Sequence, residues 1–309
     1  MEYRFVDRFL LYKKNVDKVR DSSLNTYKGL LIRFLDEQKS IKNINEEIEL
    51  YKSISRFDLE DIINNKINYK VSESYINLHI ITIKDFFNYL FENDIIENNP
   101  FSKVKQIKNP TKKNIKEYFT VEEIRKIINQ TYNKQRGERS FELNSSRSRS
   151  ILSILTNTGM RINELLSLRE NEIEKHEDYY YINIKADKIK NHLEKNVIIY
   201  GKAFDYFNEY LEIKHRLFPK SEWLFVSSRG KQFTAKNSIE SLQKIVDKCN
   251  IDKHISNHCM RATFRTTLLG KGVAEDLIKI IGNWKLDSVS SAYIKGVDIQ
   301  TLKKVCNII

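Results

Sequence analysis

Apolar side chains recur at helical spacing through the first hundred residues of the chain. The longest regular stretch covers residues 74–91. Its apolar residues at this spacing are Tyr75, Leu78, Ile81, Phe86 and Leu90. Such a repeat predicts a helix with one buried face. The same pattern predicts shorter helices at Tyr3 to Lys14, Ser22 to Gln38 and Asp58 to Asn64. The first part of the chain is therefore expected to be a helical bundle.

The next segment, residues 97–116, breaks this pattern. It is polar and rich in lysine, and it holds two of the chain's three prolines, which is typical of a linker between domains. Thr120 and Glu123 then form the pattern of a capping box, which predicts the start of a new helix. We therefore expect a first domain over residues 1–108 and a second over residues 109–309.

The second domain mixes helical and extended patterns. Its helices are predicted at Ser148 to Asn157, at Asn163 to Leu168, and from Ala203 to the end of the chain with a short strand at 223–227. Residues 179–184 and 196–200 are β-branched and aromatic runs around a lysine-rich turn, which predicts an antiparallel hairpin. The predicted fold class is mainly α: an N-terminal helical bundle and a C-terminal α+β domain with a small antiparallel sheet.

An arginine-rich segment lies near the start of the second domain, at residues 133–150. Its arginines are Arg136, Arg139, Arg147 and Arg149. Two interpretations fit this segment equally well, a solvated loop and a DNA contact.

The charge of the chain points to a polyanionic partner. Lysine and arginine outnumber aspartate and glutamate by 53 to 41, a net charge of +12. Residues 1–108 hold 18 basic and 17 acidic side chains, so an excess of 11 basic side chains lies in the remainder. Nucleic acid or an acidic membrane surface is the expected partner of that second part.

Several protein classes are not expected. The first residues include Glu2 and Asp7, and no run of 18 apolar residues occurs, so we expect neither export nor a membrane span. Three scattered cysteines without a CxxC pair fit neither a disulfide framework nor a zinc ribbon. Nine glycines provide no dinucleotide or P-loop fingerprint. We therefore expect a cytoplasmic protein without a metal or cofactor.

Three separated segments carry the candidate chemistry. TGMRINELLSL, residues 158–168, places Arg161 in a turn before a helix. HCMRATFRTTLLGKGV, residues 258–273, places His258 and Arg261 on one helix face. IIGNWKLDSVSSAYI, residues 280–294, has a glycine that stops a helix, followed by a tryptophan and a tyrosine. Each feature alone has an ordinary structural explanation, such as an ion pair or a core contact.

Together the three segments resemble the tyrosine recombinase (phage integrase) family. The family pattern is an arginine in a TGxRxxEL turn, a hairpin lysine, HxxR on a helix, a histidine or tryptophan, and a nucleophilic tyrosine. Trp284 lies 23 residues and Tyr293 32 residues after Arg261, as in that pattern. The resemblance covers residues 112–300, and the first domain resembles the family's SAM-like core-binding domain. Two positions depart from the pattern: the sequence reads IGNW before Trp284, and Ala262 stands where histidine is common.

The resemblance implies a metal-free cleavage of DNA. Arg161 and Arg261 would neutralise the charge on the phosphate oxygens, because a guanidinium group stays charged and can form two parallel hydrogen bonds to two oxygens of one phosphate. Tyr293 would attack the phosphate, giving a 3′-phosphotyrosyl intermediate and a free 5′ hydroxyl. His258 would assist proton transfer at the nucleophile, and Trp284 would hydrogen-bond the phosphate. The energy of the broken phosphodiester bond is retained in the phosphotyrosyl linkage, so neither ATP nor another cofactor is implied.

The family's hairpin lysine would protonate the leaving 5′ oxygen. Three lysines lie in the predicted turn, and we choose Lys188 because it falls at the turn itself, with Lys185 and Lys190 as alternatives.

The resemblance also implies partners. These are double-stranded DNA with inverted-repeat core sites, three further copies of the chain in a tetramer on synapsed DNA, and accessory DNA-bending proteins in some systems. The amphipathic tail after Tyr293 is expected to dock on a neighbouring subunit. We expect the simple type without an arm-binding domain, located in the cytoplasm on the nucleoid.

Two rival functions are considered. A type IB topoisomerase would use a similar pocket to relax DNA, but the tail favours subunit exchange. A catalytically inactive DNA-binding protein is disfavoured because Tyr293 and both arginines are present.

Overall fold

Helices form most of the part of the chain that the computed structural model describes, namely residues 3–107, 117–133, 140–184, 195–282, 284, 297–305 and 307. The chain divides into two units, Met1–Asn114 and Ile115–Ile309. A three-stranded antiparallel sheet lies in the second unit. This arrangement confirms the predicted fold class. No helix among the described residues is long and apolar enough to cross a membrane.

Residues 3–107 of the first unit form five helices. They are α1 (Arg4–Asn15), α2 (Asp21–Lys42), α3 (Glu47–Ser53), α4 (Arg56–Asn68) and α5 (Glu73–Glu92). The four predicted helices are all present, whereas α3 was missed because it has only two turns. Helix α5 lines the core of this unit, but its buried face differs in part from the predicted one. Ile76, Ile80 and Ile83 are buried, whereas Ile81, which was predicted to be buried, is exposed.

Residues 99–107 are held against α5 and belong to the first unit. Asn77 Nδ2 donates to the carbonyl oxygen of Ile107 at 3.1 Å, and Asn77 Oδ1 accepts from the Ile107 amide at 2.8 Å. Lys84 Nζ donates to the carbonyl oxygen of Val104 at 2.7 Å. Phe101 is fully buried. The first half of the predicted linker is therefore held by side chains of α5, which its polar composition does not reveal.

The second unit contains eight helices in its described residues. They are α6 (Val121–Gln130), α7 (Phe141–Thr158), α8 (Ile162–Leu166), α9 (Lys202–Leu217), α10 (Ala235–Lys248), α11 (Asn257–Gly270), α12 (Glu275–Gly282) and α13 (Ile299–Val305). The predicted capping box is confirmed at the start of α6, where Thr120 Oγ1 accepts from the Glu123 amide at 3.2 Å and Glu123 Oε2 accepts from the Thr120 amide at 2.8 Å.

The predicted hairpin is confirmed, and an additional strand extends it. β2 (Tyr179–Ile184) pairs antiparallel with β3 (Lys195–Tyr200), and β1 (Ile173–Lys175) adds an edge. The strand predicted at residues 223–227 is wrong. Trp223 and Val226 each form only an isolated bridge, Trp223 with Arg169 and Val226 with Gln232, so no single neighbouring segment pairs along this run. Its apolar residues mark the core and not a strand, because Leu224, Phe225 and Val226 are fully buried.

Two arginines of the arginine-rich segment lie inside α7, which begins seven residues earlier than predicted. Arg147 is buried, donates to the carbonyl oxygen of Val226 at 2.7 Å and lies over the ring of Phe233 at 3.8 Å. Arg149 is also buried and pairs with Glu209. Neither a solvated loop nor a DNA contact describes these two residues.

Arg136 and Arg139 lie outside the described residues. The interpretation of their part of the segment therefore stays open.

The C-terminal helix α13 packs on its own chain. Leu302 and Val305 are buried in an apolar cluster with Ile198 of β3 and Phe264 of α11. Lys303 Nζ pairs with Asp178 at 2.7 Å. The apolar face of α13 is thus buried against its own chain.

Candidate active site

The turn that carries Arg161 joins α7 to α8. Helix α7 ends at Thr158 and is capped by Gly159, which has a left-handed backbone with φ +60°. Arg161 immediately precedes α8, and its Nη1 lies 2.7 Å from Glu164 Oε1. The Glu164 side chain is only 5% exposed, whereas that of Arg161 is 24% exposed. The carboxylate therefore orients a guanidinium that still faces solvent on one side.

Arg261 lies on α11 and connects the three motif segments. Its Nη1 donates to the carbonyl oxygen of Gly159, and its Nη2 donates to that of Gly282 at 3.0 Å. The indole of Trp284 lies against the guanidinium, 4.6 Å from its central carbon. Gly159, 102 residues before Arg261, and Gly282, 21 residues after it, thus meet around one buried side chain.

The two arginines are close enough to affect each other electrostatically. Burial and then the positive charge of Arg161 lower the pKa of Arg261 to about 10, while Glu164 acts in the opposite direction. Arg261 therefore stays protonated at neutral pH. Two adjacent guanidinium groups form a site suited to an anion such as a phosphodiester.

Both glycines that accept hydrogen bonds from Arg261 lack room for a side chain. A Cβ at Gly159 would lie 2.6 Å from the ring of Phe264. A Cβ at Gly282 would lie 2.7 Å from the ring of Trp284. The backbone can approach Arg261 and the aromatic rings only because these positions are glycine. The prediction that Gly282 ends a helix is confirmed, but its role as an acceptor was not foreseen.

His258 lies on α11 one turn before Arg261 and is exposed. The residue before it, Asn257, makes a contact that sequence reasoning missed: its Oδ1 accepts from the amide of Ile162 at 3.0 Å. Ser256 caps the same helix, with its Oγ accepting from the Cys259 amide at 3.1 Å. The first turn of α11 is therefore attached to the start of α8.

Of the six predicted site residues, the structure brings Arg161, Arg261 and Trp284 together, and His258 lies one helical turn before Arg261. Trp284 stacks on Arg261 and approaches Phe264, with ring centroids 6.1 Å apart. Lys188, its alternatives Lys185 and Lys190, and Tyr293 lie outside the described residues. Within the described part of the chain, no group of three or more His, Cys, Asp or Glu residues is arranged to hold a metal ion.

Comparison with known proteins gives one family. The profile of the phage integrase family matches residues 117–298. A tyrosine recombinase of Thermosipho africanus is 24% identical over 300 residues, which cover 96% of this chain and 96% of the relative. Tyrosine recombinase XerC of Listeria innocua is 22% identical over 289 residues, covering 93% and 90%.

Solved structures share the fold. The XerH site-specific recombinase bound to palindromic difH substrate has a TM-score of 0.68 and 18% identity, covering 94% of this chain and 90% of that one. The lambda integrase tetramer bound to a Holliday junction has a TM-score of 0.64 and 14% identity, covering 94% and 76%.

Proposed function

Because this chain belongs to the phage integrase family, we propose that it is a site-specific DNA recombinase that cleaves and rejoins strands through a 3′-phosphotyrosyl intermediate. The observation that carries the proposal is the arrangement around Arg261, which donates to two glycine carbonyls, lies against Trp284 and is close enough to Arg161 for their charges to interact. Two fixed cations beside each other can stabilise the charge that develops on a phosphate during phosphoryl transfer.

The cleavage step assigns one task to each residue. The Tyr293 phenolate attacks the scissile phosphorus, and the bond between phosphorus and the 5′ oxygen breaks. Arg161 and Arg261 neutralise the charge that builds on the non-bridging oxygens. His258 takes up the phenol proton, and Lys188 gives a proton to the leaving 5′ oxygen. The products are a 3′-phosphotyrosyl linkage and a 5′ hydroxyl, which attacks a partner strand in the reverse step.

Trp284 has a supporting role in this scheme. Its indole ring covers one face of Arg261 at 4.6 Å, so it limits the directions in which that guanidinium can turn. Its N–H is a donor for a phosphate oxygen.

The partners we propose are duplex DNA with inverted-repeat sites and further copies of this chain. The excess of positive charge in the second part of the chain supports binding to the DNA backbone. Lambda integrase forms a tetramer on a Holliday junction, and we propose the same state here, with α13 passing to the next subunit. Accessory DNA-bending proteins and a cytoplasmic location on the nucleoid belong to the same proposal.

A nicked suicide substrate tests this function. The protein's own site is first selected from a pool of random duplexes, and a nick is then placed so that the released fragment diffuses away. Wild-type protein is expected to accumulate a denaturation-resistant complex with DNA. Tyr293→Phe is expected to bind the site equally well and form no adduct, whereas Tyr118→Phe, a half-exposed tyrosine of the second unit, should behave as wild type.

Two results would contradict the proposal: an adduct formed by Tyr293→Phe, or none formed by the wild type. Exchange between two sites distinguishes a recombinase from a topoisomerase, which would relax supercoiled DNA without exchanging strands.

A further inference from the structure

We propose that Asn257 is a positioning residue for DNA cleavage, because it holds the turn that carries Arg161 against the helix that carries His258 and Arg261. The role rests on the proposed recombinase function. The contact itself joins residues 95 positions apart, with the Ile162 amide donating to Asn257 Oδ1 at 3.0 Å.

Helix α8 needs such an attachment because it is short. It has only five residues, so most of its first amides lack a partner within the helix. Ile162 provides one of those amides, and it directly follows Arg161. A hydrogen bond to this amide therefore fixes the backbone at the base of the Arg161 side chain.

The other end of the contact is well anchored. Asn257 is the first residue of α11, a helix of 14 residues whose N-terminus is capped by Ser256. Thr263, further along the same helix, accepts from the buried amide of Phe119 at 2.9 Å.

The bonds within the turn itself are local, from the Met160 amide to Thr158 Oγ1 and from the Arg161 amide to Glu164 Oε2. The Asn257 side chain adds a bond from this turn to a fixed helix.

The neutral amide is suited to this position for an electrostatic reason. Arg161 and Arg261 repel each other, and before DNA binds this repulsion acts to separate α8 from α11. A carboxylate between the two helices would hold them together but would also cancel charge intended for the phosphate. An asparagine provides the attachment and leaves both cations available. Glu164, by contrast, already neutralises part of Arg161.

A second attachment exists on the other side of the turn, from Arg261 to the Gly159 carbonyl. That bond comes from a residue that must also bind the phosphate. Asn257 has no such second task, so it can hold the turn at the same distance throughout the reaction. Displacements of about 1 Å in positioned groups cost about 100-fold in rate.

The test compares Asn257→Ala with Ser256→Ala on the nicked suicide substrate. Both changes remove one hydrogen bond at the start of α11, but only the first releases α8. Asn257→Ala is expected to lower the single-turnover cleavage rate by about 10- to 100-fold while the Kd for DNA changes by less than about twofold. Ser256→Ala is expected to lower Tm at least as much and to keep the cleavage rate within about threefold of wild type.

Two further variants at the same position complete the design. Asn257→Asp retains an acceptor of the same shape but adds a negative charge near the two arginines, so it is expected to cleave faster than Asn257→Ala and slower than wild type. Asn257→Leu retains the volume without the acceptor and should stay slow. The Leu variant also replaces the Ala variant if the latter does not fold.

The positioning role is overturned if Asn257→Ala or Asn257→Leu cleaves at the wild-type rate, if Ser256→Ala loses as much rate, or if Asn257→Asp recovers none. Each of these results leaves the proposed function intact, provided that the wild type forms its adduct. A wild type without an adduct overturns the recombinase function and this role with it.

Discussion

The Arg261 guanidinium donates a hydrogen bond to the carbonyl oxygen of Gly159, a residue 102 positions earlier in the chain. The same glycine caps α7 in a left-handed conformation and lies against the ring of Phe264. Backbone geometry, packing and the orientation of a site arginine therefore depend on a single residue that has no side chain.

Gly159→Ala is expected to damage both stability and cleavage. The left-handed backbone costs about 1–2 kcal/mol for a residue with a Cβ, and overpacking against Phe264 adds about 1–3 kcal/mol. Thermal unfolding should show this loss, and the single-turnover cleavage rate should fall because the carbonyl that orients Arg261 moves. Gly29→Ala is the matched control: this glycine lies within α2 with open space around it, and the change should stabilise the protein slightly. Equal melting curves for the two variants would contradict this account.

Removal of either site arginine should slow cleavage strongly while DNA still binds. We expect Arg161→Ala and Arg261→Ala each to lower the cleavage rate by about 100- to 1,000-fold, with little change in affinity because many other cations contact the backbone. Arg265→Ala provides the control, since Arg265 lies on the same helix as Arg261 and pairs with Glu275 at the surface. If either site variant cleaved like the control, the two arginines would not be the phosphate ligands.

The identity of the hairpin lysine can be decided chemically. A substrate with sulfur in place of the bridging 5′ oxygen loses its leaving group without protonation. This substrate should therefore restore cleavage to Lys188→Ala and leave Arg161→Ala slow. If the sulfur substrate instead restores cleavage to Lys185→Ala or to Lys190→Ala, that lysine is the one that protonates the leaving oxygen.

A buried lysine predicts acid sensitivity of the second unit. Lys214 has a fully buried side chain, and its Nζ donates to Glu170 and to the carbonyl oxygen of Ser221 at 3.0 Å. His215 also contacts Glu170. Burial alone would raise the pKa of Glu170, but the hydrogen bonds from Lys214 and His215 outweigh it and hold the pKa below its usual value.

The sign of the pH effect follows from that lowered pKa. The stabilisation from Glu170 is complete above the ordinary glutamate pKa of about 4.3 and is lost as the pH falls through the lower value in the folded protein. Glu170→Gln should destabilise the protein by about 1–3 kcal/mol at neutral pH, because it leaves the buried Lys214 ammonium without its negatively charged partner while the bond to Ser221 remains. The variant should also lose less stability than wild type between pH 5 and pH 3. Parallel urea titrations measure both effects, and a neutral-pH difference near zero would count against the ion pair.

Local signals predicted the fold well, and long-range contacts account for the errors. The Thr120 and Glu123 capping box was correct because both partners lie within one helical turn. Arg147 was misread because its partner, the Val226 carbonyl, is 79 residues away. The local sequence around an arginine is the same whether its guanidinium is solvated or donates to a carbonyl far along the chain.

The residues of the candidate site were proposed from their spacing along the chain and not from contacts. The spacing of Arg161, His258, Arg261 and Trp284 matched a known pattern, so their roles could be proposed without knowing their distances. Asn257 belongs to no such pattern, and its bond to Ile162 appears only once the two segments are folded together.

Packing of α13 is expected to loosen on removal of one buried side chain. Leu302 is 3% exposed within the apolar cluster, whereas Ile299 on the same helix is 36% exposed. Leu302→Ala should therefore accelerate hydrogen exchange of the α13 amides well beyond Ile299→Ala, while the exchange of α7 stays unchanged. Equal exchange in the two variants would show that burial of Leu302 does not hold the helix in place.

The docking of α13 on its own chain sets up a competition between intramolecular and intermolecular binding. A tethered helix meets its own groove at an effective concentration on the order of millimolar. A second chain diffusing at micromolar concentration is at a disadvantage of roughly a thousandfold. The free protein is therefore expected to remain a monomer, and exchange of α13 becomes favourable only where DNA holds two chains side by side and removes that disadvantage.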